Sequence, residues 1–209
     1  MNRRTALKNL TKGIGFAVAT PTIMHLLASC QNQTETWKPL FLSEEEKHLV
    51  IQLTDLFIPK TDTPGAVEIN TPQFLDSMYQ EVETTQNQEH FKKGAQLFAS
   101  AFQKKSNKAV LEGTKEDFKP LLDEYFSLSP EETKALMRQQ KQNMKDLAAS
   151  EMEKFSMYKF LLSTRYYAIF GYCTSEEIGE NVLAYDPIPG MQQGCVSVEE
   201  ISQGRAWSL

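Results

Sequence analysis

Three histidines, three cysteines and several runs of carboxylates are the side chains in this 209-residue chain whose chemistry could reach beyond packing. Of the histidines, His48 and His90 lie beyond the N-terminal stretch, each beside apolar helical positions and each without a His or Cys partner at ligand spacing. A zinc site wants three or four such ligands, so both read as core-edge or solvated histidines. The carboxylates gather at Glu44-Glu45-Glu46, Glu131-Glu132 and Glu176-Glu177, where helix starts and loops favour negative charge through the backbone dipole; they read as structural rather than as an acid–base pair. No Cys-x-x-Cys-His, four-cysteine set or Gly-x-Ser-x-Gly elbow occurs, and Gly13-Ile14-Gly15 is too incomplete for a dinucleotide fingerprint. On these grounds the chain is expected to be no free-standing enzyme, with no catalytic, metal or cofactor-binding residue of its own.

Cys30 is different, because Leu27-Ala28-Ser29 precede it. A large apolar residue followed by two small ones is what a lipoprotein peptidase needs before a diacylated cysteine, so Cys30 is the expected lipidation site and first residue of the mature chain. The preceding segment opens with the paired arginines Arg3 and Arg4, then Leu7 and Lys8, and continues mildly apolar from Gly13 to Ala28. Twin arginines in this layout resemble the address of the translocase that exports folded proteins, with the general secretory route as the alternative. The apolar stretch is broken by Pro21 and His25 and falls short of the ~20 residues that a membrane span requires, so acyl chains would supply the anchor. Residues 1–29 are thus an expected signal peptide, 30–42 a tether, and 43–209 the folded domain, in the periplasm or cell envelope.

Charge agrees with this division. The chain carries a net −5, yet residues 1–29 hold four cations and no acid, which leaves −9 on the remainder. A body this acidic repels phosphate backbones and is a poor nucleic-acid partner.

The elements that would hold any site are helical. Ser43 and Glu46 form a capping box ahead of Leu49, Val50, Leu53, Leu56 and Phe57, which recur at three-and-four spacing until Pro59, predicting a helix over 44–57. After a loop containing Thr61-Asp62-Thr63-Pro64-Gly65-Ala66, Thr71 and Pro72 read as N-cap and first residue of a second helix. A third is expected near 88–104, and caps at Thr114 and Ser129 predict helices near 115–126 and 130–147. The longest pattern runs over about 150–170, where Phe155, Tyr158, Phe160, Leu161, Leu162, Tyr166, Tyr167 and Phe170 cover most of the circumference, as in a central helix. No segment alternates at period two, so the fold class is all-α: one bundle-like domain with a long irregular C-terminal segment.

That tail, from Gly171, is punctuated by glycines and prolines but keeps Tyr172, Tyr185 and Trp207, too aromatic for disorder. It also holds Cys173 and Cys195. In an oxidising compartment a bond between them would stabilise by ~3 kcal/mol in the chain-entropy model, and it is the favoured expectation; two separate buried thiols are the alternative.

The helix ending Leu56-Phe57-Ile58-Pro59, the loop string Ile-Pro-x-Thr-Asp-Thr-Pro-Gly-Ala, the helix opening Thr71-Pro72-Gln73-Phe74-Leu75-Asp76 and the tail from Gly171 to Cys195 together resemble the gluconate 2-dehydrogenase subunit 3 family. The resemblance implies a small subunit of a membrane-associated sugar or sugar-acid dehydrogenase. Its partner would be a FAD-dependent flavoprotein of the glucose-methanol-choline type, with electrons passing to a cytochrome subunit that carries haem c. It further implies that the small subunit holds no cofactor and that its twin-arginine signal exports the flavoprotein as a folded passenger. Cys30 at a lipobox departs from the commoner family pattern and would add a membrane tether. Asp62, Pro64, Gly65, Tyr172, Tyr185 and Trp207 are the candidate docking residues, since rigid loops and aromatics supply contact area at low entropic cost. The competing reading is a stand-alone periplasmic lipoprotein that captures a small ligand.

Overall fold

In the computed structural model, residues 37–142, 147–188, 190–191 and 194–208 are described. Arg3, Arg4, Cys30 and most of the expected tether lie outside them. The described residues are all-α, in eight helices with one isolated two-residue bridge.

Helix α1 (Glu44–Phe57) begins as its capping box dictates. The Ser43 hydroxyl accepts from the Glu46 N–H at 3.3 Å and the Glu46 carboxylate from the Ser43 N–H at 2.8 Å. Such a cap is worth about 1 kcal/mol. Leu49, Val50 and Leu53 are buried, while Leu56 and Phe57 are half-covered.

Helix α2 (Thr71–Glu81) starts differently from the sequence expectation. Asn70, in the left-handed conformation at φ 61°, is the cap, and Thr71 is already helical, its hydroxyl donating back to the Ala66 carbonyl at 2.8 Å. Thr71 is thus consumed in closing the preceding loop.

Helix α3 (Thr85–Ser106) is capped by Thr84 and buries Phe91, Gly94, Ala95, Phe98 and Phe102. A single 3-10 turn (Val110–Glu112) leads to α4 (Lys115–Phe126), whose N-cap is Thr114 as predicted, with the Asp117 carboxylate accepting the Thr114 N–H at 3.0 Å. Helix α5 (Pro130–Gln139) has its Ser129–Glu132 box but stops well short of residue 147. Only Leu136 of this helix is buried, and Arg138 to Gln142 offer no apolar residue that could hold further turns against the body.

Helix α6 (Ala149–Cys173) packs on α1, α2 and α3 and is the central element. At its crossing with α3 the backbones meet at Gly94, where an added Cβ would lie 2.1 Å from the Ser156 carbonyl oxygen and 2.6 Å from the Phe160 Cβ. Rings fill the space around the crossing: Phe160 lies 4.9 Å from Phe91 and 5.9 Å from Phe98, and Phe102 stacks on Phe118 at 4.0 Å. Each such pair adds about 0.5–1.5 kcal/mol beyond its area burial.

The segment entering α1 is bound by a carboxylate. Asp76, on α2 and 1 % exposed, accepts the backbone N–H groups of Leu40, Phe41 and Leu42 at 2.7, 3.0 and 2.9 Å. Three donors offset the desolvation that a lone buried carboxylate would suffer. Lys92 closes the same clamp, donating to the Phe41 carbonyl at 2.6 Å, pairing with Glu46 at 2.8 Å and lying over the Phe41 ring.

The tail carries more local order than its glycines suggest. Helix α7 (Glu176–Asn181) is capped by Ser175 and α8 (Val198–Ser202) by Ser197. Between the tail's two ends runs the parallel bridge of Ala184 and Trp207, with the Ala184 N–H donating to Ala206 at 2.8 Å and the Ser208 N–H to Ala184 at 2.9 Å. Gly171 and Tyr172 belong to α6, and Gly171 is needed there: a Cβ would meet the Phe74 ring at 2.7 Å.

Candidate docking surface

The loop between α1 and α2 is shaped by its own backbone. The Ala66 N–H returns to the Ile58 carbonyl at 3.0 Å, and the Thr61 N–H donates to Thr63 at 3.1 Å. Gly65 is the point of closest approach, where a Cβ would stand 2.8 Å from the Lys60 nitrogen. Its N–H donates to Glu68 at 3.0 Å, and Glu68 also pairs with Lys60. The bond from Lys60, then that from the Gly65 N–H, hold the Glu68 carboxyl below the usual range.

Tyr172, in the last turn of α6, fastens this loop to the bundle. Its hydroxyl donates to the Pro64 carbonyl at 3.0 Å and lies 3.2 Å from the Thr63 hydroxyl. Four of the candidate docking residues, Asp62, Pro64, Gly65 and Tyr172, are therefore brought to one place. Their roles differ: Gly65 is buried and shapes the loop, Tyr172 is half-buried and spends its hydroxyl inward, and Asp62 is exposed. The other two, Tyr185 and Trp207, are exposed at the tail's bridge, where Trp207 pairs with Ala184 and Tyr185 is the next residue.

Between the loop and α7 opens a cleft of about 850 Å³. Among the described residues, Asp62, Glu68, Glu176, Glu177 and Glu180 line it with a single cation, Lys60, already paired to Glu68.

The expected Cys173–Cys195 bond is not made. Cys173, half-buried in the last turn of α6, and Cys195, exposed at φ 55° in the tail, are both free thiols. Order in the tail comes instead from its two caps and its bridge. His48 and His90 hold structural places: the His48 Nε2–H donates to the Gly113 carbonyl at 2.7 Å, and His90 lies edge-on to Phe155, where burial lowers its affinity for a proton. Among the described residues no group of three His, Cys, Asp or Glu could hold a metal ion, and no helix is long and apolar enough to cross a membrane.

The sequence did not single out the exposed half of α6. Tyr166 and Phe170, counted by their spacing as apolar covering of a central helix, are 58 % and 37 % exposed, and Ile169 between them, which was not counted with them, is 43 % exposed. Tyr166 stacks flat on Phe170, with ring centroids 5.8 Å apart and planes 12° from parallel, and Phe170 leans on Phe74 of α2. The available signal was the excess itself: a helix apolar on nearly every side has more surface than three neighbours cover.

Residues 44–190 match the family model described as gluconate 2-dehydrogenase subunit 3. The match spans well over half of the chain, and the chain belongs to that family. No curated protein and no solved structure matches it. The matched span includes the loop, the whole of α6, the cleft and Tyr185, and stops short of Cys195 and Trp207.

Proposed function

We propose that this chain is a non-catalytic small subunit that binds a FAD-dependent sugar or sugar-acid dehydrogenase of the glucose-methanol-choline type, accompanies it across the membrane and tethers it there. Support comes from the coincidence, within the family-matched span, of an exposed aromatic face on α6 and a loop fastened beside it by Tyr172. Surfaces of this kind lose little entropy on binding because their backbone is already fixed. FAD would belong to the large subunit and haem c to a cytochrome subunit, while this chain would supply contact, address and anchor. Arg3 and Arg4 would carry the export signal and Cys30 the acyl chains.

The test is to replace Arg3 and Arg4 together by Lys and to fractionate cells by dehydrogenase activity. Activity stranded in the cytoplasm is the expected result; normal periplasmic activity would mean that the flavoprotein travels by itself. Cys30→Ala, followed with fatty-acid labelling, should abolish the label and release the complex from membranes. Equal label in mutant and wild type would remove the anchor from the proposal.

A further inference from the structure

Three features of the described surface follow one another along the chain, from the C-terminal half of α6 to the segment just past it. The first is the face of α6 formed by Tyr166, Ile169 and Phe170, which follow one another at the three-and-four spacing of neighbours on a helix. This half of α6, from Leu162 to Cys173, bears one charged residue, Arg165, and its guanidinium sits over the Phe126 ring at 5.9 Å. The second is Tyr172, three residues beyond Ile169 and so roughly 60° from it around the axis, which joins the helix to the loop. The third is the cleft past Tyr172, where Asp62, Glu176, Glu177 and Glu180 stand in no ion pair among the described residues.

An apolar face is the part of a surface that gains most from being covered, and four unneutralised carboxylates at its end dictate the sign of what covers it. A second copy of this chain would bring its own acidic cleft and a body at −9 beyond the N-terminal segment, so self-association is disfavoured by like charge. We propose that the C-terminal half of α6 is the contact face for the flavoprotein, and that the partner's matching surface is apolar at its centre with Lys and Arg along the edge that meets Asp62, Glu176, Glu177 and Glu180. This rests on the chain being the small subunit of such an enzyme. Tyr166, Ile169 and Phe170 supply the buried centre of the interface, and the carboxylates set its orientation and its salt dependence.

The experiment measures association of the full-length small subunit with its flavoprotein at low and high salt. Tyr166→Ser with Ile169→Ser should weaken binding on the order of a hundredfold, as loss of two central anchors does, with helical circular dichroism unchanged because both side chains are exposed. Glu176→Gln, Glu177→Gln and Glu180→Gln together should weaken it about tenfold at low salt and flatten the salt dependence. If wild type fails to bind any flavoprotein, the proposed function itself falls. If wild type binds and the apolar double variant binds as tightly, the contact face lies elsewhere while the function stands. If the triple Gln variant keeps the wild-type salt dependence, the partner's edge is not basic. Conversion of a dimer to a monomer by the apolar variant, with flavoprotein binding intact, would make the face a contact between copies and overturn the proposal.

Discussion

The two halves of helix α6 are built from the same kinds of residue and put to different uses. In the first half Phe155, Tyr158, Phe160 and Leu161 are all buried, pressed by α3 so closely that Gly94 admits no side chain. In the second half Tyr166, Ile169 and Phe170 are open to solvent although they are no less apolar. Tyr167, between them, is buried, with its hydroxyl donating to Glu83 at 2.6 Å; burial and that bond push the phenol well above its ordinary value. Hydrophobicity alone therefore does not divide core from surface. The division is set by which neighbours the connections bring alongside, and a helix longer than its partners leaves part of itself uncovered.

The contrast is sharpest in a pair of truncations. Phe160→Ala should cost about 3–5 kcal/mol in denaturant unfolding, the range for removing a fully buried ring, while Tyr166→Ala should stay within about 0.5 kcal/mol. Equal costs would mean that the second half is core after all. Next comes Gly94→Ala, predicted to destabilise by about 1–3 kcal/mol because the Ser156 carbonyl cannot yield without separating α3 from α6. A neutral result would show that the crossing is looser than its rings imply.

Smaller effects belong to the loop. Tyr172→Phe removes the bond to the Pro64 carbonyl and should cost about 0.5–1.5 kcal/mol, with amide exchange accelerating around Thr61 to Gly65 and unchanged at the α3–α6 crossing. Acceleration spread over the whole domain would make Tyr172 part of the core rather than a latch. The least change is expected from Glu68. Its carboxyl is held below the ordinary value in the folded chain, so it stabilises above the unfolded value and that contribution disappears as pH falls through the lowered folded value. Glu68→Gln should accordingly flatten the acid limb of the stability curve, and an unaltered limb would show that the Lys60 pair contributes nothing, as many exposed pairs do.

What the sequence determined alone were the features that act over one turn. Ser43 with Glu46, Thr114 with Asp117 and Ser129 with Glu132 announce their helices because each partner is three residues away and no other part of the chain need agree. The apolar stripes of α1 and α3 and, among the described residues, the absence of strands were legible for the same local reason. Helix ends set by more distant groups were not: Thr71 looked like a cap until Ala66 claimed its hydroxyl, and α5 stopped where nothing was left to bury. The expected disulfide followed from compartment and spacing, and spacing does not fix where two Cα atoms lie. Only the tertiary structure decided that Asp76 would hold the backbone of residues 40–42, some 35 positions earlier, and that Tyr172 would reach Pro64 across 108. It also decided which half of α6 stays open. A side chain's type states what it can bond or bury, but whether a partner stands there depends on elements far along the chain, and their arrangement is fixed only when the whole core packs.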